Sequence, residues 1–414
     1  MEESRGDRGK IKVLTLNCWG IPYVSSDVKK RFTYIAKELA SGKYDIVSLQ
    51  EVWSQTDYEY VAKKVTEVLP YAVYFHSGVI GSGVCVFSKY PITDTFNYRY
   101  SLSGYMYMIH HGDWFGGKSA SYCLIDHPMH PIYLFTTHLH AEYNRQNDSY
   151  LGHRTVQAFQ LSEFINYLTK PSDCVIVCGD MNTEPTDTCY RVIKHLPDLT
   201  DTWDVAGQKG DFHGNTCDLS TNSYTTIKLD KELRGGSKDG KRIDYVFYRA
   251  PPGTIRCVEH MVTMGKIPGE DLSYSDHEGV LATFIVDDDT SSIDSSAVDG
   301  DEKESLKKKC EEVLQEIMNV TQHEIDSISN ARLTTCLLIF LLAVFIFSPL
   351  VYSAGFSSAF HILRPLGKMV YVLRFLSTVF LTGVLFYVIF NSRDELKAYQ
   401  NVQHEVKLQM KYKK

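Results

Sequence analysis

Val175-Ile176-Val177-Cys178-Gly179-Asp180-Met181-Asn182 runs four apolar residues into a glycine and then sets an aspartate and an asparagine two positions apart. A short apolar run bounded by turn residues reads as a buried strand. In extended chain, residues two apart point to the same side, so Asp180 and Asn182 can face one ligand while the strand anchors them. By itself G-D-x-N is also an ordinary Asp/Asn turn. Five more stretches decide the matter: L-N-x-W-G at 16–20, L-Q-E-V at 49–52, T-H-L-H at 137–140, R-I-D-Y at 242–245 and S-D-H at 275–277. Each brings an apolar, strand-like run to a carboxylate, an amide or an imidazole.

The chain on either side fits a layered α/β domain. Ile11-Lys12-Val13-Leu14-Thr15-Leu16 alternates as a half-buried strand and ends at Asn17. Val28, Phe32, Ile35, Ala36 and Leu39 predict a helix over 27–39, closed by Gly42. Ile46-Val47-Ser48-Leu49 delivers Gln50 and Glu51, and a second helix over about 56–69 stops at Pro70. From 71 to 133 short β-rich runs take over, with Tyr98, Tyr100, Tyr105, Tyr107, Trp114 and Phe115 serving either sheet packing or a membrane interface. A strand ends at His138, a helix follows over 152–168, and the last strands fall at 243–248 and 279–286. The stretches at 210–215 and 235–238 read as exposed loops. Strand-helix alternation with polar strand exits predicts an α/β sandwich.

Composition narrows the function. The 414-residue chain carries a net charge of −7, which disfavours a protein that grips a polyanion through Lys and Arg. Ten cysteines lie scattered without a C-x-x-C pair, as expected of reduced thiols in a cytosol-facing domain. The polar first ten residues hold no secretory signal core.

Beyond residue 286 the character changes. An acidic, Ser-rich linker spans 287–301, followed by a helical stripe over 302–332 that suits a short coiled coil or a helix docked on the catalytic domain. The runs at 333–352 and 370–390 are long enough to cross a bilayer, and 391–414 reads as a basic tail. Arg374 is close enough to the start of the second run to snorkel toward the interface. Lys307, Lys308, Lys309, Arg332, Arg393, Lys397, Lys407, Lys411, Lys413 and Lys414 flank the pair, against Arg364 and Lys368 in the connecting loop. The positive-inside bias therefore predicts a multi-pass membrane protein with its 1–286 domain in the cytosol. Spans this short suit a thinner internal membrane such as the endoplasmic reticulum.

The ordered motifs, extended as W-G-I-P, L-Q-E-V-W, S-K-Y-P-I, T-H-L-H-A-E, G-D-M-N-T-E-P and S-D-H-E-G, resemble the endonuclease/exonuclease/phosphatase superfamily. The closer wording is similar to its neutral sphingomyelinase branch, and the C-terminal hairpin to the layout of the type 1 forms. The resemblance implies a DNase I-like four-layer α/β sandwich, two central mostly antiparallel sheets flanked by helices, plus a two-helix transmembrane hairpin. It also implies Mg²⁺-dependent, phospholipase C-type hydrolysis of sphingomyelin to ceramide and phosphocholine at neutral pH. A lyso-phospholipid with the same choline head, or another substrate of the superfamily's phosphodiesterases and phosphatases, is the alternative.

Phosphodiester hydrolysis needs a metal, hydrogen-bond donors and an activated water, because attack adds charge to an anionic centre. Glu51, a carboxylate at a buried strand end, is a hard oxygen ligand of the kind Mg²⁺ prefers. The resemblance gives the same role to Glu51, with Asn17 beside it. His277 titrates in the right range for a base. The resemblance implies that Asp244 holds the His277 ring, Asp180 orients water, and Asn182 and His138 donate to phosphoryl oxygens. Either Asp180 or His277 takes the proton, and a second metal near His277 is conceivable. Lys118, read as a surface cation near the lipid phosphate, and Asp276 are candidate substrate contacts.

Gly112-Asp113-Trp114-Phe115-Gly116-Gly117-Lys118-Ser119 also fits G-x-x-x-x-G-K-S. A phosphate-cradling loop must open a helix, whereas Ala120-Ser121-Tyr122-Cys123-Leu124-Ile125 is a short run ending at His127-Pro128, which argues against an ATPase.

Overall fold

A computed structural model describes residues 9–108, 110–207, 214–225, 240–287, 300–353 and 367–412. Most of the acidic linker, and the loops read at 210–215 and 235–238 apart from 214–215, lie outside them.

The first sheet contains β1 (Lys10–Asn17), β2 (Ile46–Gln50), β3 (Tyr71–Phe75), β4 (Val84–Ser88), β11 (Ile255–Thr263) and β12 (Gly279–Val286), ordered β11-β12-β1-β2-β4-β3. The second contains β5 (Ile92–Arg99), β6 (Ser119–Ile125), β7 (Ile132–His138), β8 (Cys174–Asp180), β9 (Thr200–Asp201) and β10 (Asp244–Arg249), ordered β5-β6-β7-β8-β10-β9. Among the described strands, only β1 with β2 and β7 with β8 run parallel. Both sheets are therefore mixed and mostly antiparallel, as the resemblance implies.

Alternation assigns the faces. Ile11 and Val13 of β1 join Val84, Val86, Ile132, Leu134, Ile176, Cys178 and Val246 in the core shared by both sheets. Leu14 and Leu16 point the other way, to Phe32, Ile35 and Leu39 of α1 (Val28–Leu39) and Val61 and Val65 of α2 (Gln55–Val65). Burying each large side chain contributes about 1.5–3 kcal/mol. On the far face Phe135 meets Phe164 of α4 (Leu151–Leu168) edge-on, with ring centres 5.5 Å apart. A single helical turn, α3 (Asp113–Gly116), precedes β6, and α5 (Thr188–His195) and α6 (Thr202–Ala206) flank β9. The layers are thus helix, sheet, sheet, helix.

Strand direction gathers the chemistry. Since β1 and β2 are parallel and β3 shares their direction across β4, all three exit at one edge. At that edge β7 and β8 also exit, and β10 and β12 begin. A hydrogen bond from Asn17 to Asp180 joins the two sheets there.

The chain divides into two compact units, Met1–Glu316 and Ile317–Lys414. Gly300–Ser353 is one unbroken 54-residue helix, α7, where the sequence suggested two segments, because neither glycine nor proline interrupts 301–348. Within the first unit its start docks on α5, through Arg191 to Glu316 at 2.7 Å and the Cys310 thiol to the His195 carbonyl at 3.3 Å. Within the second unit α7 is met by α8 (Gly367–Phe386), a π-helical turn at Tyr387–Asn391, and α9 (Ser392–Tyr412). Arg374 donates to Ser348 at 3.0 Å and Gln403 to Gln322 at 3.1 Å, so the arms run antiparallel. Instead of snorkelling outward, Arg374 is held across the hairpin. Two helices are long and apolar enough to cross a membrane, and their large side chains, such as Phe340, Phe347, Tyr371 and Phe375, face outward. The stretch read as a basic tail is α9, with Tyr399, Val402 and Val406 buried along one stripe.

Candidate active site

Local backbone geometry aims the side chains. Gly179 has φ +140°, and a Cβ there would lie 2.0 Å from the Thr137 carbonyl oxygen, so only glycine lets β8 lie against β7 just before Asp180. Asn182 turns the chain in the left-handed region at φ 45°, its backbone N–H donating to Asp180 Oδ1 at 2.9 Å. Its side-chain amide donates to the Leu139 carbonyl at 3.0 Å. Glu51 is also left-handed, at φ 57°, which costs a glutamate about 1–3 kcal/mol and swings it out of the line of β2. The Gly20 N–H fixes that turn by donating to the Glu51 carbonyl at 3.0 Å.

Six of the expected residues converge by direct contact. Asn17 Nδ2 donates to Glu51 Oε1 at 3.2 Å and to Asp180 Oδ2 at 2.9 Å, while its oxygen accepts the Trp19 N–H. His138 Nε2 lies 3.4 Å from Asp180 Oδ2 and 3.9 Å from Glu51 Oε1. His277 Nδ1 meets Asp244 Oδ2 at 2.8 Å and its Nε2 stands 4.0 Å from Asp180 Oδ2. Asn182 joins through the backbone of Asp180. Asp276 accepts from Ser275 at 3.2 Å and is half-buried beside His277.

Lys118 is not a surface cation. At 2% exposure it donates to the Leu139 carbonyl at 3.1 Å and pairs with Asp113 Oδ1 at 3.1 Å. Its position at the foot of β6 explains this, because the strand carries it beneath the site. β6 starts at Ser119, so a strand follows where a phosphate loop would need its helix, and the single turn of α3 lies within the stretch itself.

Burial, with the charge of Asp276, raises the Glu51 carboxyl above its ordinary range, while Lys118 and the Asn17 amide oppose it. Burial and the Asp244 charge push Asp180 up to about 7. For His277 burial opposes the charged ring, but Cys217, Asp244 and Asp180 outweigh it and hold the imidazole well above its ordinary value. Burial, reinforced by Lys118, keeps His138 well below its own, hence neutral. The site thus pairs a charged ring with a neutral one.

The donor set fits a hard cation. Asp180, Asp244 and His277 each bring a ligand atom within 4.8 Å of the others. Glu51 Oε2 is buried without a hydrogen-bond partner among the described residues, an arrangement costly for a carboxylate that binds nothing. Asn17, as oriented, holds the two carboxylates as a donor.

Two supporting residues carry no motif. Thr216 donates to Asp244 Oδ2 at 2.6 Å, and nothing in its neighbourhood of the sequence announces it. Arg31 is fully buried, donating to the carbonyls of Cys18 and Trp19 at 2.6 Å each and of Tyr274 at 3.3 Å, so it ties the exit of β1 to the loop carrying His277. A cation on the apolar stripe of α1, three residues after Val28 and four before Ile35, was the available signal.

The model of the Endonuclease/Exonuclease/phosphatase family matches residues 14–277. A candidate neutral sphingomyelinase of Caenorhabditis elegans is 42% identical over 298 residues, covering 67% of each chain. Sphingomyelin phosphodiesterase 2 of Homo sapiens is 40% identical over 67% of this chain and 65% of its own. Inositol phosphosphingolipids phospholipase C of Schizosaccharomyces pombe is 33% identical over 67% of this chain and 69% of its own. Across these worm and human relatives and the similarly named neutral sphingomyelinase candidate of Drosophila melanogaster, the match spans 60% to 67% of their length. In fold, the chain is similar to the beta toxin of Staphylococcus aureus, with a TM-score of 0.51 at 19% identity, over 66% of this chain and 99% of that one.

Proposed function

Because the chain belongs to the endonuclease/exonuclease/phosphatase family, and within it to the neutral sphingomyelinases, we propose that it hydrolyses the phosphodiester of sphingomyelin, releasing phosphocholine and leaving ceramide in the membrane. The observation that carries this reading is the meeting of Glu51, Asp180, His138 and His277 around Asn17 and Asp244 at one edge of the sandwich. Water attacks phosphorus, the bond from phosphorus to the ceramide oxygen breaks, and that oxygen takes up a proton. With the His277 ring held charged, Asp180 is the member of the pair that accepts the water's proton, and the apparent titrations of the two belong to the pair. Asp244 fixes the ring through Nδ1 and turns Nε2 inward. Neutral His138 and the amide of Asn182 supply N–H donors as charge builds on the phosphoryl oxygens. Mg²⁺, held by Glu51 with Asn17 beside it, would supply positive charge to those oxygens and acidify the water.

The two apolar helices favour a lipid substrate, since an anchored site meets membrane lipid at high effective concentration. The charge bias of their flanks favours a cytosolic catalytic domain, and the shortness of the apolar runs favours an internal membrane such as the endoplasmic reticulum. A second reading, an inositol-phosphate head group, is favoured by the similarity to the Schizosaccharomyces pombe phospholipase C. Product identification separates them. Full-length protein in mixed micelles of choline, ethanolamine and inositol sphingolipids with a DNA duplex is expected to release phosphocholine. Release of inositol phosphate or nucleotides in its place refutes the choline reading.

A further inference from the structure

Two loops leave the catalytic edge on either side of Glu51 and end in bare apolar side chains. The turn after β1 exposes Tyr23 at 107% and Val24 at 68%, and the loop after β3 exposes Val79 at 79% and Ile80 at 50%. Tyr23, Val79 and Val24 are three of the four most exposed large apolar side chains among the described residues of the first unit. The fourth, Tyr167 at 85%, ends α4 at the opposite edge.

Neither loop is loose. Tyr23 sits in the left-handed region at φ 66° inside a turn closed by Ser25 N–H to the Ile21 carbonyl at 3.0 Å and by the Ser25 hydroxyl accepting from Ile21 at 3.0 Å. The Val79 and Ile80 N–H groups donate to the Phe115 carbonyl at 3.0 and 3.3 Å. Gly78 at φ +56° packs so tightly that a Cβ would lie 2.7 Å from Gly117 N. Backbone strain and close packing are thus used to hold apolar groups in solvent, which a free-standing surface has no reason to do.

Both loops are also tied to the site. Gly20 N–H bonds the Glu51 carbonyl at 3.0 Å, and Val52 N–H bonds the Gly83 carbonyl at 2.9 Å. A bilayer is the occupant that two separate apolar tips at the mouth of a lipid-cleaving site would suit, and the same chain carries two helices able to enter one. We propose that Tyr23, Val24, Val79 and Ile80 dock the catalytic edge on the lipid surface, bracketing the site so that a headgroup reaches Glu51 and His277 without the lipid leaving the membrane. The inference rests on the lipid-substrate reading above.

The test uses full-length protein reconstituted in phosphatidylcholine–sphingomyelin liposomes. Val79→Trp and Tyr23→Trp are expected to be quenched by lipids brominated at shallow acyl positions, and Tyr167→Trp is not. The Val79→Glu/Ile80→Glu variant is expected to lose at least tenfold in hydrolysis of bilayer substrate and to stay within twofold on a monomeric water-soluble phosphodiester. Quenching equal to that of Tyr167→Trp, or equal losses on both substrates, overturns the proposal. Retained quenching by a protein that releases no phosphocholine supports docking and refutes the substrate reading alone.

Discussion

Glu51 is the side chain on which the site's charge balance turns, since beside Asn17 and Asp180 it offers a buried carboxylate oxygen that no described neighbour satisfies. Glu51→Gln keeps the shape and removes the anion, so hydrolysis is expected to fall at least a hundredfold. Mg²⁺, by binding only the folded state, is expected to raise the melting temperature of the native protein and not that of the variant. A variant with unchanged activity in chelator refutes the role. Glu51 and Asp180 were legible because each closes an apolar run, and Asp244 and His277 because each stands at the head of one. Lys118 was misplaced because a lysine immediately before a strand gives no sign of which way the strand will carry it. Thr216 was invisible, for a lone threonine in a loop acquires meaning only through the carboxylate it meets.

At the scale of strands, the approach of β8 to β7 leaves less room for a Cβ than any other described glycine position. Gly179→Ala forces a methyl into the Thr137 carbonyl and is expected to cost ~3 kcal/mol or more. Gly269→Ala, at φ +80° with no atom within 4 Å of its Cβ, is expected to cost only about 1 kcal/mol of backbone strain. Urea unfolding of both variants checks the contrast, and equal midpoints would show that the strand joint yields. The interior strands and α1, α2 and α4 were readable from periodicity. β11 was not, because it is an edge strand whose Arg256, Glu259 and His260 break the alternation, and a bulge between Cys257 and Glu259 shifts its register. α5 is only eight residues long, too short for its period to stand out.

For the molecule as a whole, a chain ending at Val286 keeps every proposed site residue and loses the start of α7 that docks on α5. It is expected to hydrolyse detergent-dispersed substrate and to lose most activity on liposomes, where only the loop tips remain to find the membrane. Parallel assays of both forms check this. Equal liposome activity would refute anchoring, and an inactive but folded truncation would make α7 part of the catalytic domain. The sheet order has a further bearing on how the protein is made. β1, synthesised almost first, pairs with β12, whose register joins Lys10 to Ile285. The second sheet is built wholly from the chain between them. A nascent chain therefore waits for nearly all of the first unit to leave the ribosome before its first strand is flanked on both sides, and until then His277 has no Asp180 to face. Hydrolysis switches on in one late step of synthesis, just ahead of the apolar helices that will bring it to the membrane.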